Sequence, residues 1–424
     1  MSKKPIINDK YILEEWEVEG NGLTSKVFKV RDIKEENSIY AAKIFNDTDK
    51  ANSCFNNEIE FLNFLKEKRI KNIINIIDSG VGDIKLGNVS IKNKKYLILE
   101  YAERKDLSRY LSKDLINEGF IESHAQCLFY KIYEAVKAIH KSGVCHRDLK
   151  TDNIVLDNEF NPKICDFGFS TYINNNEKIK KGSPYYAAPE ILIDNKNKKE
   201  FKLLQKYINE FEGAPVDIFA LGVILFNLMT AKHSFEKPTK KDNSYKYIIS
   251  GDYENFWKIQ NLNLVLNNKF KTLFQDMIHS DPTKRPKIDD IEKYEWIQEY
   301  IKKSDKEKKD IEDELYEEFI KREKKIKEST QKTMKTEKPK TNNNYNDDRG
   351  IKEEEEEEEE EEGCFNEDDN IIRSFEEGEY KEFFIKIEGY LKGIKFMNKL
   401  YKKIIKEYEQ NKEYDCNIDC SMIN

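Results

Sequence analysis

The chain has 424 residues, of which 36% are charged and 38% hydrophobic, and its formal net charge is −8; this length allows two or three domains. The acidic balance argues against a nucleic-acid-binding protein, no stretch approaches the roughly 18 apolar residues of a membrane helix, and the first residues lack the apolar region of a signal peptide. Seven irregularly spaced cysteines fit free thiols in a reducing compartment, so we expect a cytoplasmic protein and leave a nuclear location open.

A glycine-containing turn between predicted strands is the first feature in chain order. Residues 11–45 predict strands, which Gly20-Asn21-Gly22 interrupts. Glycines lack a Cβ, so the amides of such a hairpin can approach phosphate oxygens closely, but an ordinary tight turn explains the pattern equally well. The next strand, Tyr40–Phe45, contains Lys43, which is unusual because buried lysines are rare unless they are paired.

Two amphipathic helices are predicted on either side of a short apolar strand. The first covers about residues 51–68, with apolar residues three or four positions apart. It contains two neighbouring glutamates, Glu58 and Glu60, and a position on the solvated surface would explain either of them. The strand Tyr96–Leu99 follows, and the second helix, Ser123–Lys141, leads into the most informative part of the chain.

Two short strings supply residue types that suit phosphoryl transfer. One is H-R-D-L-K-x-x-N at His146–Asn153, and the other is Asp166-Phe167-Gly168. They bring acids, an amide and a lysine to a reaction that depends on positioning and on neutralising charge. The combination is highly specific. With the strings Gly182–Glu190 and Asp281–Pro286, the chain resembles a eukaryotic protein kinase of the serine/threonine type.

The resemblance implies a role for each catalytic residue. Asp148 would accept or orient the proton of the attacking hydroxyl, as catalytic base. Lys150 would neutralise charge on the moving phosphoryl group. Asn153 and Asp166 would hold Mg²⁺, because this hard cation prefers oxygen ligands. His146 is interpreted as a packing residue rather than as an acid or base.

The resemblance also implies an ATP site. Lys43 would bind the ATP phosphates and pair with a carboxylate on the following helix, and the spacing favours Glu58 over Glu60. Leu99 would be the gatekeeper residue, and Ser25 stands where the family has a third glycine. The other implied nucleotide contacts are Gly20, Gly22, Val27, Ala41, the backbones of Glu100 and Ala102, Asp106 at the ribose, and Val155.

The resemblance covers residues 11–297 and implies an α+β, bilobal protein-kinase fold. A β-rich N-lobe would span about residues 11–99, and a mostly helical C-lobe about residues 103–297. Between residues 191 and 213 the chain is longer than the family pattern, so we expect a polar surface insertion there. A short helix is predicted within it, at Phe201–Phe211.

The activation segment that the resemblance implies, Asp166–Glu190, departs from the family. It has no Ser, Thr or Tyr between residues 173 and 181. We therefore hypothesise that Glu177, rather than a phosphorylated residue, pairs with Arg147. Glu190 and Arg285 both belong to family motifs, and we expect them to form a buried ion pair.

A charged, partly disordered helical tail is predicted after the kinase domain. Residues 298–369 are expected to be a linker, with the unbroken acidic run Glu353–Glu362 disordered by self-repulsion. Residues 370–411 predict helices, either a hairpin that packs on itself or on the kinase lobe, or a basic regulatory segment that binds calmodulin, an anionic surface or the acidic run. The linker also contains a thin apolar stripe, formed by Ile311, Leu315 and Phe319. The Lys and Glu residues around this stripe favour a solvated helix over a helix that binds a partner.

The function implied by the resemblance is transfer of the ATP γ-phosphoryl group to serine or threonine hydroxyls of protein substrates, with Mg²⁺. Lys150 and Ser183 favour these acceptors over tyrosine, and the nearest subfamily is expected to be the calcium/calmodulin-dependent and related protist kinases. The main alternative is a catalytically inactive kinase-fold scaffold, for which Ser25 and the missing phosphorylation site are the only support. A small-molecule phosphotransferase is a third class.

Overall fold

The computed structural model describes residues 4–14, 20–21, 24–35, 38–86, 89–112, 116, 118–173, 183–192, 213–262 and 266–336. Several predicted features lie outside these residues: Gly22, Glu177, the insertion with its helix at 201–211, the acidic run, and the segment 370–411. The described chain forms a β-rich N-lobe and a mostly helical C-lobe, which is the predicted bilobal fold. No helix among these residues is both long and apolar enough to cross a membrane.

An antiparallel sheet forms the N-lobe, with the strand order β2-β1-β6-β7-β5-β4-β3 in the described part of the chain. Strand β2 also pairs with β4, so all strands except β3 close into a barrel. Closure removes the unpaired edges at which sheets otherwise associate. The strands are β1 (Ile6–Ile7), β2 (Tyr11–Leu13), β3 (Gly20–Asn21), β4 (Ser25–Asp32), β5 (Ile39–Phe45), β6 (Ile76–Leu86) and β7 (Val89–Glu100).

The barrel begins before the predicted N-lobe boundary at residue 11. Ile6 and Ile7 pair with Ile12 and Tyr11 on one side and with Lys85 and Ile84 on the other, so this short strand completes the ring. Alternate side chains of the strands fill the interior, as the two-residue period of a strand requires. The barrel core is Ile7, Tyr11, Leu13, Phe28, Val30, Ala42, Ile44, Ile84, Tyr96 and Ile98.

Helix α1 (Asp49–Glu67) packs beside the barrel and brings a carboxylate towards it. Thr48 caps its N-terminus, with the hydroxyl oxygen accepting a hydrogen bond from the Ala51 amide at 3.2 Å. Its inner face is apolar apart from Glu58, whose side chain is fully buried. A buried carboxylate is costly unless it is paired, so this residue needs a cation on the facing strand.

The C-lobe is built around an apolar helix. Helix α2 (Glu122–Lys141) and helix α3 (Gly213–Thr230) pack together, and α3 is apolar on nearly every side, as expected of a helix inside a core. Two small sheets flank the catalytic string, His146–Asn153. One pairs β8 (Val144–Cys145) with β11 (Thr171–Tyr172), and the other pairs β9 (Ile154–Leu156) with β10 (Pro162–Ile164). The remaining helices are α4 (Tyr245–Ser250), α5 (Tyr253–Ile259), α6 (Asn268–Met277), α7 (Glu295–Ile301) and α8 (Asp305–Thr336).

Helix α8 differs from the predicted linker and from a solvated helix. Ile311, Leu315 and Phe319 are buried against the C-lobe instead of facing water. The ring of Phe319 stacks on Phe160 with centroids 4.7 Å apart and meets Tyr110 edge-on at 5.0 Å. The narrow stripe is buried because it packs on aromatic rings of the C-lobe. The folded unit therefore extends into the region predicted to be a linker.

Phe319→Ala is expected to lower the free energy of unfolding by about 3–5 kcal/mol, the range for removing a fully buried aromatic ring. The cause is the loss of its ring contacts on the C-lobe. Urea denaturation measures the change. Tyr316→Ala, on the same helix but with a partly exposed ring, is the control and should cost less. Equal losses for the two variants would contradict the described packing of α8.

Candidate active site

The catalytic string is held in place by the buried carboxylate of Asp217 on α3. Its oxygens accept hydrogen bonds from the amides of His146 at 2.8 Å and Arg147 at 2.7 Å. The His146 ring lies 2.9 Å from the Cys165 carbonyl through Nε2 and packs edge-on against Phe167. These contacts give His146 a packing role and fix the backbone that leads to Asp148.

Asp148 is oriented by two residues that follow it in the string. The Asn153 amide donates to the Asp148 carboxylate at 3.0 Å and to its carbonyl at 2.8 Å, and the Lys150 ammonium lies 3.4 Å from the carboxylate. Burial raises the pKa of Asp148, and the charge of Lys150 opposes this rise. The carboxylate is therefore a preorganised acceptor whose proton affinity exceeds that of an ordinary aspartate.

Lys43 joins the two lobes through a pair of carboxylates. Its ammonium lies 2.6 Å from Glu58 on α1 and 2.9 Å from Asp166. Glu60, the competing candidate, instead accepts a hydrogen bond from the hydroxyl of Tyr172 at 2.9 Å. Burial raises the pKa of Glu58, and the cation of Lys43 counteracts that effect. The ammonium of Lys43 thus connects strand β5, helix α1 and the loop that contains Asp166.

The predicted metal ligands, Asn153 and Asp166, suit a hard cation. Asn153 uses its amide nitrogen to bind Asp148, which leaves its side-chain oxygen as a ligand. Burial opposes the ionisation of Asp166, but the nearby positive charges, chiefly Lys43 and also Lys150, together lower the pKa of Asp166 and favour the charged carboxylate. Asp166 has a left-handed backbone, with φ of 65°, a strained conformation of the kind that is typical of functional sites. An amide and a carboxylate oxygen are ligands that Mg²⁺ accepts.

A cavity of about 410 Å³ lies between the lobes and receives most of the predicted nucleotide contacts. The N-lobe strands, the hinge between the lobes (Glu100–Ala102) and the catalytic string all contribute residues to its lining. Gly20 is described only as backbone of β3, and Gly22 lies outside the described residues, so neither is placed against the cavity. Asp148 is not in its lining. The predicted residues that line it are Val27, Ala41, Lys43, Glu58, Leu99, Glu100, Ala102, Asp106, Lys150, Asn153, Val155 and Asp166.

Other lining residues were not predicted as nucleotide contacts: Ser25, Ile74, Tyr101, Lys105, Asp152 and Cys165. Cys165 directly precedes Asp166, so its position in the chain was a usable signal. Ile74 had no such signal, because the loop that contains it reaches the site only through pairing with the strand at Ile164. Asp106 also caps the 3-10 helix Leu107–Leu111, accepting from the Arg109 amide.

A second cavity, of about 640 Å³, opens on the C-lobe beside the catalytic string. Thr151 and Asp152 form one side, and the 3-10 helix Leu107–Leu111 contributes another. Tyr185 and His233 also line it, and their rings stack with centroids 4.3 Å apart. We call this space the C-lobe cleft. It lies next to Lys150 and Asn153, the residues that contact Asp148, because Thr151 and Asp152 between them line it.

Contacts of the activation segment are described only at its ends. Lys150, which is predicted to neutralise charge on the moving phosphoryl group, donates to the Ser183 hydroxyl at 3.4 Å and so contacts the segment. The Arg147 Nε donates to the Phe169 carbonyl at 2.7 Å. Its hypothesised partner, Glu177, lies outside the described residues, so the substitute for a loop phosphate stays a hypothesis.

Glu190 and Arg285 form the buried ion pair that their motifs predicted. Both nitrogens of the guanidinium fork contact the carboxylate, at 2.6 and 2.8 Å, and both side chains are excluded from water. Arg285 also donates to the carbonyls of Pro215 and His279. Such a bidentate pair fixes direction as well as distance, so it holds the end of the activation segment against the helical core.

Arg285→Met is expected to lower the free energy of unfolding by about 3–5 kcal/mol, because Glu190 would keep a buried charge without a partner. Urea denaturation provides the measurement. The matched control is Arg31→Met, which breaks the partly exposed pair with Glu14 and should cost at most about 1 kcal/mol. A small effect at Arg285, similar to that at Arg31, would show that the buried pair does not hold this region.

Comparisons with known proteins agree with this geometry. The model of the protein kinase domain family matches residues 13–297. Serine/threonine-protein kinase SIK2 of Gallus gallus is 30% identical over 209 residues, which are 49% of this chain and 23% of that protein. NUAK family SNF1-like kinase 1 of Homo sapiens is 30% identical over 242 residues, 57% of this chain and 31% of that protein. The matched segment thus spans about a quarter to a third of these relatives.

Proposed function

The chain belongs to the protein kinase domain family, and on this premise we propose that it transfers the γ-phosphoryl group of ATP to serine or threonine hydroxyls of proteins. The observation that supports this most directly is the contact of Lys43 with both Glu58 and Asp166. It assembles residues from both lobes at the inner end of the 410 Å³ cavity. An inactive scaffold would not require this arrangement.

Each residue of the site has a task in this reaction. The ammonium of Lys43, fixed by Glu58, binds phosphate oxygens, and the hinge backbone at Glu100 and Ala102 borders the adenine end of the cavity. Asn153 and Asp166 would hold Mg²⁺ through their side-chain oxygens, and the ion would neutralise negative charge on the phosphates.

The attacking hydroxyl is handled by the catalytic string. Asp148 accepts its proton, and the contacts with Asn153 and Lys150 keep the carboxylate in position. Lys150 also donates to the hydroxyl of Ser183. It therefore links Asp148 to the end of the activation segment. Because phosphoryl transfer depends mainly on positioning and on fixed charges, this arrangement supports the proposed reaction.

The competing functions have less support. The inactive-scaffold alternative rests on Ser25 and on the unusual activation segment, whereas Lys43 contacts both Glu58 and Asp166, and Lys150 contacts Asp148. A small-molecule phosphotransferase would have no need of the C-lobe cleft, whose lining includes Asp152 and His233.

The deciding experiment is a phosphorylation assay of the purified full chain with magnesium-ATP and histone as a generic basic substrate. We expect phosphoserine and phosphothreonine in the products, and no incorporation by Asp166→Ala. Incorporation by the wild type that does not exceed that of Asp166→Ala, with and without calcium–calmodulin, would favour the scaffold.

Regulation from the tail is a further part of the proposal. Residues 394–406 are basic and amphipathic in sequence, which suits binding of calmodulin, of another regulator or of the chain's own acidic run. Deleting residues 370–424 should raise activity in the same assay if the tail is autoinhibitory, and unchanged activity would refute that role. A cytoplasmic location is proposed on the cysteine usage alone.

A further inference from the structure

Arg322 on α8 is a buried arginine outside the matched kinase domain, with an exposed fraction of 1%. Arginine is rarely buried to this extent unless its charge and its donors are satisfied. One carboxylate, Glu318, lies one turn earlier on α8 and accepts from Nε at 2.8 Å. The guanidinium also lies 4.0 Å from the centroid of the Phe120 ring, within the range of a cation–π contact.

The other donors of Arg322 bind backbone carbonyls from two segments of the C-lobe. Nη1 donates to the carbonyl of Tyr110 at 2.8 Å and to that of Glu118 at 3.1 Å, and Nη2 donates to Gly119 at 2.8 Å. A guanidinium presents its donors in a rigid planar fork. The side chain therefore sets the position of the 3-10 helix Leu107–Leu111 relative to residues 118–120.

Residues 118–120 are in turn bound to the last turn of α3. The Phe120 amide donates to the Leu228 carbonyl at 2.7 Å. Gly119 lies so close to this turn that an added Cβ would be 2.2 Å from backbone atoms of Met229. The chain is thus in backbone-to-backbone contact here, and a movement of residues 118–120 would move the end of α3.

Both of these elements form walls of the C-lobe cleft. Ser108, Leu111 and Ser112 line it from the 3-10 helix and its end, and Asn227 and Ala231 line it from the end of α3. Arg322 itself does not line the cleft. We propose that Arg322 is a positioning residue that sets the separation of these two walls, and thereby the fit of the protein substrate. The inference rests on the proposed kinase function for the identity of the cleft's occupant.

The kinetic test compares Arg322→Ala with Lys324→Ala, a control at an exposed position of the same helix. Arg322→Ala should raise the KM for histone by a factor of about five or more and leave the KM for ATP within about twofold, because only binding of the protein substrate is weakened. Lys324→Ala should match the wild type in both constants. Arg322→Lys, which keeps the charge but not the planar fork, should give an intermediate KM for histone. An unchanged KM for histone, or an equal rise in both KM values, would overturn the proposal.

A second measurement does not require activity. Hydrogen–deuterium exchange should become faster in residues 107–112 and 227–236 of Arg322→Ala and stay unchanged in Lys324→Ala. If Arg322→Ala shows no cooperative unfolding transition, Arg322→Lys replaces it in the same comparison. Unchanged exchange in both segments would overturn the inference even in an active kinase. A wild type that transfers no phosphate would instead refute the proposed function, and the exchange data would still decide whether Arg322 holds the walls.

Discussion

Asp148→Asn is expected to lower kcat for phosphorylation of a protein hydroxyl about 10²–10⁴-fold, the usual contribution of a positioned proton acceptor. An asparagine side chain has nearly the same shape as aspartate but cannot take the proton. The contacts of this position with Asn153 and Lys150 hold the carboxylate in a fixed orientation. Initial rates at saturating ATP and histone give the value.

ATP binding should survive this substitution, because Asp148 does not line the nucleotide cavity. Binding of a fluorescent ATP analogue measures this independently of turnover. Asp289→Asn, the same chemical change at an exposed aspartate of the C-lobe, is the matched control and should retain full activity. If Asp148→Asn kept more than about a tenth of the wild-type kcat, the role of proton acceptor would have to be assigned to another group.

Lys43→Met should lower kcat/KM about 10²–10³-fold, as removal of one preorganised electrostatic group does in other enzymes. It removes the charge that binds phosphate and also the partner of two carboxylates. The substitution should therefore destabilise the fold as well, because Glu58 and Asp166 would lose their common cation. Steady-state kinetics and urea denaturation test the two effects separately.

The pH dependence of Lys43→Met has a definite sign. Burial already raises the pKa of Glu58 in the presence of Lys43, and loss of the cation raises it further. The folded variant then binds a proton that the unfolded chain releases, so its stability falls as the pH rises through the folded-state pKa. Adding Glu58→Gln should reduce this dependence, and the part that is left belongs to Asp166, which loses the same cation.

Lys92→Met is the control for these measurements, because Lys92 forms an exposed N-lobe pair with Asp83. It should change neither kcat/KM nor the pH dependence of stability. A Lys43→Met variant that behaved like Lys92→Met would show that the contact with Glu58 is not needed for catalysis.

The part of the site that could be predicted is the part whose residues lie close together in the sequence or in a known family pattern. Asp148, Lys150 and Asn153 lie within six residues, so one loop places them together, and the resemblance of their motif to the family implied a role for each. The pairing of Lys43 with Glu58 was predictable from spacing within a known family pattern. Ile74 was not, since it reaches the cavity through a loop pairing that no local pattern reports.

The sequence by itself indicated the proposed reaction class, because its motifs resemble those of protein kinases and supply the residue types that phosphoryl transfer uses. The tertiary structure alone decided the closure of the barrel by Ile6 and Ile7 and the docking of α8. The stripe that contains Phe319 is too narrow to indicate burial by its own periodicity. Its burial depends on rings at Tyr110, Phe120 and Phe160, which lie far away in the sequence and form one surface only when the C-lobe has folded.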